Sequence, residues 1–67
     1  MQVEEGIIQE ALPGLTFRVS LKKNPEAAVL GHLAGKMKLH RIRVLPGDRV
    51  LIEVADDGRR GRIVRRL

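Results

Sequence analysis

The sequence predicts an all-β fold, a five-stranded Greek-key barrel with a short helix between strands 3 and 4. Three observations carry that prediction. Apolar and polar residues alternate in short runs, most cleanly where Leu15, Phe17, Val19 and Leu21 interleave with Thr16, Arg18, Ser20 and Lys22. The runs are separated by turn chemistry at Pro13-Gly14, Pro46-Gly47-Asp48 and Asp57-Gly58, where proline presets φ and glycine supplies positive φ. The period breaks at residues 34–39, where Leu33 and Met37 fall at helical spacing. A small helix after the third of five strands is the pattern of the OB-fold. Another small barrel, such as an SH3-like one, is the alternative that strand count leaves open.

Each element follows in order. Residues 3–12 make a first strand, with Gly6 expected as a bulge. The turn at Pro13-Gly14 joins it to the second strand. A polar break, Lys22-Lys23-Asn24-Pro25-Glu26, leads to a third strand over 27–33, which Gly31 is expected to weaken or bend. A helix of one to two turns covers 34–39. From Arg41 the period returns to two, with Arg41 and Arg43 on one side and Ile42 and Val44 on the other. Val50, Ile52 and Val54 alternate with Arg49, Leu51 and Glu53 in a fourth strand, and residues 61–66 form the last. With no linker, repeat or low-complexity segment, residues 1–67 read as one domain.

A chain of 67 residues buries a small core. It has no cysteine, so neither a disulfide nor a thiolate metal site stabilises it, which fits a reducing compartment. Its longest aliphatic run, Ala27 to Leu30, is too short for a signal peptide or a membrane span. The expectation is a cytoplasmic monomer with no membrane partner.

Charge is distributed unevenly. Residues 1–35 carry Arg18, Lys22 and Lys23 against Glu4, Glu5, Glu10 and Glu26, a net −1. Residues 36–67 carry ten Lys and Arg against Asp48, Glu53, Asp56 and Asp57, a net +6. A basic half on so small a domain points to a polyanionic partner, most often nucleic acid.

The residues offer no catalytic constellation. His32 and His40 do not have metal-ligand spacing, and His32 is expected to be a partly buried strand residue. Asp56-Asp57 beside Gly58 reads as turn chemistry rather than magnesium binding. Thr16 and Ser20 lack an adjacent base, and Gly58-Arg59-Arg60-Gly61 is too short for a phosphate loop. No enzyme activity, cofactor or metal is expected.

Single-strand binding by an OB barrel usually relies on aromatic stacking. This chain has one aromatic residue, Phe17, on the apolar face of its best strand. The binding chemistry left is arginine and lysine, which pair with phosphate oxygens, arginine also stacking on bases. That chemistry suits a structured RNA of fixed backbone geometry. In this reading Leu33, Met37, Ile42 and Val44 fill the barrel, while Lys36, Lys38, Arg41 and Arg43 form an outward ridge. Arg62, Arg65 and Arg66 form a second wall, although strict alternation cannot put all three on one face. The RNA-binding set is Lys36, Lys38, Arg41, Arg43, Arg62 and Arg65. A general RNA-binding or RNA-chaperone domain of cold-shock type and a small protein-interaction barrel are the alternatives.

The motifs also occur in a telling order. Ala11-Leu12-Pro13, Phe17-Arg18-Val19, His32-Leu33-Ala34-Gly35-Lys36-Met37, the run Ile42-Arg43-Val44-Leu45-Pro46-Gly47-Asp48-Arg49-Val50 and Gly61-Arg62-Ile63-Val64 together resemble bacterial translation initiation factor one. The resemblance implies a five-stranded OB barrel that binds the decoding region of the small ribosomal subunit, near the aminoacyl-tRNA site. It implies contacts to ribosomal RNA and a neighbouring ribosomal protein, a block on premature tRNA entry, and cooperation with the other initiation factors in start-site selection. Lys36 and Lys38 match the family's basic Gly-Lys-Met segment, Arg43 its Ile-Arg motif and Arg62 its Gly-Arg-Ile-Val motif. The chain departs from the family at Gly14, Ala34 and Arg41, where asparagine, serine and tyrosine are usual. The second-to-third-strand turn is longer, and Ala55-Asp56-Asp57-Gly58 replaces a longer segment with a tyrosine.

Overall fold

The computed structural model describes residues 2–67, so Met1 lies outside the described part of the expected domain. Five strands, β1 (Gln2–Leu12), β2 (Thr16–Leu21), β3 (Ala28–Leu33), β4 (Arg49–Val54) and β5 (Arg60–Arg66), close in the order β1-β2-β3-β5-β4. The helix α1 (Gly35–Leu39) lies between β3 and β4. This is the OB barrel that the strand pattern predicts. Every strand pair is antiparallel except β3–β5, which is parallel.

The barrel core follows the alternation read from the sequence. Phe17, Val19 and Leu21 of β2 point inward, with Val29 and Leu33 of β3, Val50 and Ile52 of β4, and Ile63 of β5. Leu15 departs from the reading. It lies in the Pro13-Gly14-Leu15 turn at φ 58° and is exposed, because this turn takes a second left-handed residue after Gly14. Thr16 closes the turn by donating its hydroxyl to the Pro13 carbonyl at 2.8 Å.

One glycine expectation is corrected, and a second glycine proves to face the interior. Gly6 is not the bulge; the β1–β2 register skips between Ile8 and Glu10, leaving Gln9 unmatched. Gly6 instead lets β1 pass close over β2, since a Cβ there would lie 2.6 Å from Val19 Cγ1 and 2.9 Å from the Ser20 oxygen. Gly31 pairs with Phe17 on one side and Gly61 on the other in unbroken register. It faces the interior and leaves room for the ends of Ile52 and Ile63.

The Asp57-Gly58 hairpin forms as read. Gly58 has φ 71°, and Asp57 Oδ1 accepts the Arg59 and Arg60 amides at 2.9 and 3.4 Å. The Arg59 N–H above all, helped by that of Arg60 and by the charges of both arginines, holds the Asp57 carboxyl below its ordinary range against desolvation.

Candidate nucleic-acid interface

Helix α1 has five residues, too few to be stable alone. Tertiary contacts hold it. Met37 is buried and plugs one end of the core. The Ala34 amide donates to the Ile63 carbonyl at 2.9 Å, tying the start of the helix to β5. The C-terminus closes in a Schellman motif: the Ile42 amide donates to the Met37 carbonyl at 3.0 Å and the Arg41 amide to that of Lys38 at 3.1 Å. Half-buried Ile42 packs onto the core cluster that includes Met37. The motif requires a left-handed residue at Arg41, whose φ is 53°.

Beyond Arg41 the period-two reading holds for exposure, while the segment stays outside the sheet. Arg41 and Arg43 are exposed, Ile42 is half-buried and Val44 is buried. No strand forms, because the left-handed bend at Arg41 and the turn at Pro46-Gly47 leave the segment without a ladder. Its anchors are the Gly47 amide to the Ile8 carbonyl, the Ile8 amide to the Asp48 carbonyl, and Leu45 N–H to Asp48 Oδ2 at 2.9 Å. The backbone of the basic ridge is therefore fixed without being part of the sheet.

The wall on β5 depends on a bulge. Ile63 pairs with Ile52 and Arg65 pairs with Leu51, so Val64 is skipped. The extra residue returns Arg65 to the outward parity of Arg62 and puts Arg66 opposite Val50 at the barrel end. Arg66 donates from Nη1 to the Arg43 carbonyl at 2.9 Å.

Helix and strand meet in an open hollow of about 400 Å³. Met37, Ile42 and Val64 make its apolar floor, and Lys36, His40, Arg65 and Arg66 its basic rim. Of the six residues chosen from the sequence, Lys36 and Arg65 line this hollow. Lys38 is exposed on the same helix, and Arg41 and Arg43 on the segment that follows it. Arg62 lines a different, smaller hollow with His32, Glu53 and Arg60. There its Nε donates to Glu53 Oε1 at 2.9 Å. His32 is exposed rather than partly buried, since it alternates outward between Leu33 and the inward Gly31. His40 and Arg66 join the site though neither is in the chosen set. The i, i+4 spacing of Lys36 and His40 is a visible signal for the first, whereas the second depends on the bulge at Val64.

Ion pairing separates the two halves of the molecule. All three cations of the first half are paired: Arg18 with Glu10 at 2.6 Å, Lys23 with Glu4 at 2.9 Å, and Lys22 loosely with Glu5 at 3.9 Å. In the second half Arg62 alone pairs with a carboxylate among the described residues. Lys36, Lys38, Arg41, Arg43 and Arg65 have no carboxylate partner among the described residues. A second hollow, also about 400 Å³, is lined by Glu4, Lys23 and Asp56 and offers no such excess of positive charge. Phe17 is 6% exposed within the core, so it has no face for base stacking.

A closed OB barrel with several carboxylate-free cations around one short helix and the end of the last strand has the make-up of an RNA-binding protein of the OB class. The family model described as translation initiation factor 1A / IF-1 matches residues 2–67, and the chain belongs to that family. It is thus a translation initiation factor, acting in protein biosynthesis. The chain is similar to the solution structure of translation initiation factor one from the Wolbachia endosymbiont strain TRS of Brugia malayi. That match has 36% identity and a TM-score of 0.76, covering 98% of this chain and 77% of the other. The chain is also similar to the crystal structure of YjeQ from Thermotoga maritima, at 26% identity and a TM-score of 0.79, covering 98% of this chain and 23% of that longer one. Among the described residues no helix is long and apolar enough to cross a membrane.

Proposed function

We propose that this initiation factor binds the small ribosomal subunit at the decoding, aminoacyl-tRNA site and acts there by occlusion. A rigid barrel fills the site, prevents premature tRNA entry and aids start-site selection with the other initiation factors. Ribosomal RNA is the main partner and a neighbouring ribosomal protein a second. In this reading no bond is made or broken, and the protein works as a cytoplasmic monomer without catalysis or cofactor. The observation that carries this reading is the set of unpaired cations at α1 and the segment after it, Lys36, Lys38, Arg41 and Arg43, with Arg65 lining the same hollow as Lys36. Family membership supports the same conclusion. Arg62 contributes less, because Glu53 already satisfies part of its guanidinium.

Each phosphate neutralised releases counterions, so affinity should fall steeply with salt. Fluorescence anisotropy of the labelled protein against purified small subunits tests the proposal, with unstructured RNA at matched nucleotide concentration beside it. Saturable subunit binding that persists at moderate salt, where free RNA dissociates, is the expected result. Equal, salt-labile binding to both leaves only general RNA affinity and removes the decoding-site assignment.

A further inference from the structure

Leu39 is the most solvent-exposed large apolar residue among those described. It is 79% exposed, whereas Val3, Ile7, Leu15, Leu30, Leu45 and Leu67 range from 44% to 58%. Local structure does not require leucine there. Lysine, arginine and glutamate have nearly the same helix propensity, and each would solvate the position better. The core does not require it either. Two residues along a helix from buried Met37 is a rotation of about 200°, so Leu39 points away from the barrel. Its backbone is nevertheless fixed, because the Schellman closure follows immediately.

The surroundings identify the partner. No acidic residue occurs between Glu26 and Asp48, and Lys36, Lys38, His40, Arg41 and Arg43 surround Leu39 in sequence. An apolar side chain held rigidly outward in a wholly cationic segment suits a polyanion that also has apolar faces. Nucleic acid is such a partner, with bases and riboses between its phosphates. The geometry points to Leu39 as an apolar RNA contact, packing on a nucleobase while the neighbouring cations hold phosphates. This assignment rests on the reading under Proposed function and adds the one non-electrostatic contact of the helix.

The test compares Leu39→Ala and Lys38→Ala with the parent on purified small subunits across a salt series, together with chemical probing of base reactivity. The parent's own saturable binding reports on the subunit reading; if it is absent, both proposals fall. With the parent bound, Leu39→Ala should weaken affinity about five- to thirtyfold, the scale of a lost apolar contact, while the slope of log K against log salt stays at the parent's value. Lys38→Ala should instead make that slope shallower by about 1. One or more bases protected by the parent should regain reactivity with Leu39→Ala, and the thermal midpoint should not move. Parent-like affinity for Leu39→Ala, or a changed salt slope, overturns the assignment. So does weaker binding with every base still protected, which would place Leu39 against protein.

Discussion

Arg66 donates a hydrogen bond to the main-chain carbonyl of Arg43, joining the end of β5 to the segment after α1 across 23 positions of chain. A guanidinium-to-carbonyl bond is charge-assisted, although exposure weakens it. Its consequence is positional: the backbone that presents Arg43 is fastened to the strand that carries Arg65. Replacing Arg66 with alanine should therefore speed hydrogen exchange of the amides around Arg43 more than Arg65→Ala does. Subunit affinity should fall in both variants, about tenfold for each lost charge-assisted contact. Equal exchange in the two variants would reduce Arg66 to a simple charge.

Arg41 occupies the left-handed position of the Schellman motif, at φ 53°, where glycine is the usual residue. A side chain in that region costs roughly 1–2 kcal/mol, partly offset by glycine's greater freedom in the unfolded chain. Arg41→Gly should raise stability by about 0.5–1 kcal/mol, a thermal midpoint a few degrees higher. If the guanidinium holds a phosphate, the same variant should bind subunits about tenfold more weakly. Calorimetry and anisotropy on one preparation measure both effects. Stabilisation with undiminished binding would remove Arg41 from the interface.

The sequence made the barrel legible because its inward residues obey period two almost without exception, and Val19, Val29, Val50, Ile52 and Ile63 are all fully buried. It misled where backbone conformation, rather than side-chain alternation, decides. Leu15 continues the apolar pattern yet lies in a turn at positive φ. The bulge at Val64 could not be read either, since no residue type demands it. That bulge gives Arg65 the outward parity of Arg62, leaves Arg66 opposite Val50 at the barrel end, and brings Arg65 and Arg66 to the hollow. At the site, residue type marked the cations, but only the folded chain shows which of them carboxylates have already claimed.

That difference separates Arg43 from Arg62. Both lie in basic motifs, but Arg62 is paired with Glu53 while Arg43 has no side-chain partner among the described residues. Arg43→Ala should weaken subunit binding by roughly 1–3 kcal/mol and leave the thermal midpoint unchanged. Arg62→Ala should have a smaller binding effect and lower stability by no more than about 1 kcal/mol, the scale of an exposed ion pair. Glu53→Gln frees Arg62 and should strengthen binding. A larger binding loss at Arg62 than at Arg43 would reverse this order and move the interface toward the hollow lined by His32.

The barrel closes where Gly31 of β3 pairs with Gly61 of β5, both facing the interior. The two are not equally replaceable. A Cβ on Gly61 would lie 2.8 Å from the Glu53 carbonyl oxygen, which is sheet backbone and cannot withdraw, and 2.8 Å from Ile52 Cγ1. A Cβ on Gly31 would meet the flexible end of Ile52, Cδ1, at 3.0 Å. Gly61→Ala should cost about 3 kcal/mol by overpacking, and Gly31→Ala about 1 kcal/mol. For a barrel with so small a core, the larger cost should leave part of the population unfolded at ambient temperature. Ile52→Val removes the Cδ1 that Gly31→Ala would strike, so that double variant should be more stable than the sum of its single effects. Gly61→Ala should gain little from Ile52→Val, because the carbonyl contact remains. Denaturant melts of the five variants decide it, and rescue of Gly61→Ala by Ile52→Val would show that the side chain, not the β4 backbone, sets the limit. The closure also bears on the site. Two residues beyond this pair, the Ile63 carbonyl accepts the Ala34 amide that anchors α1, so a barrel forced open at Gly61 should lose RNA binding along with its fold.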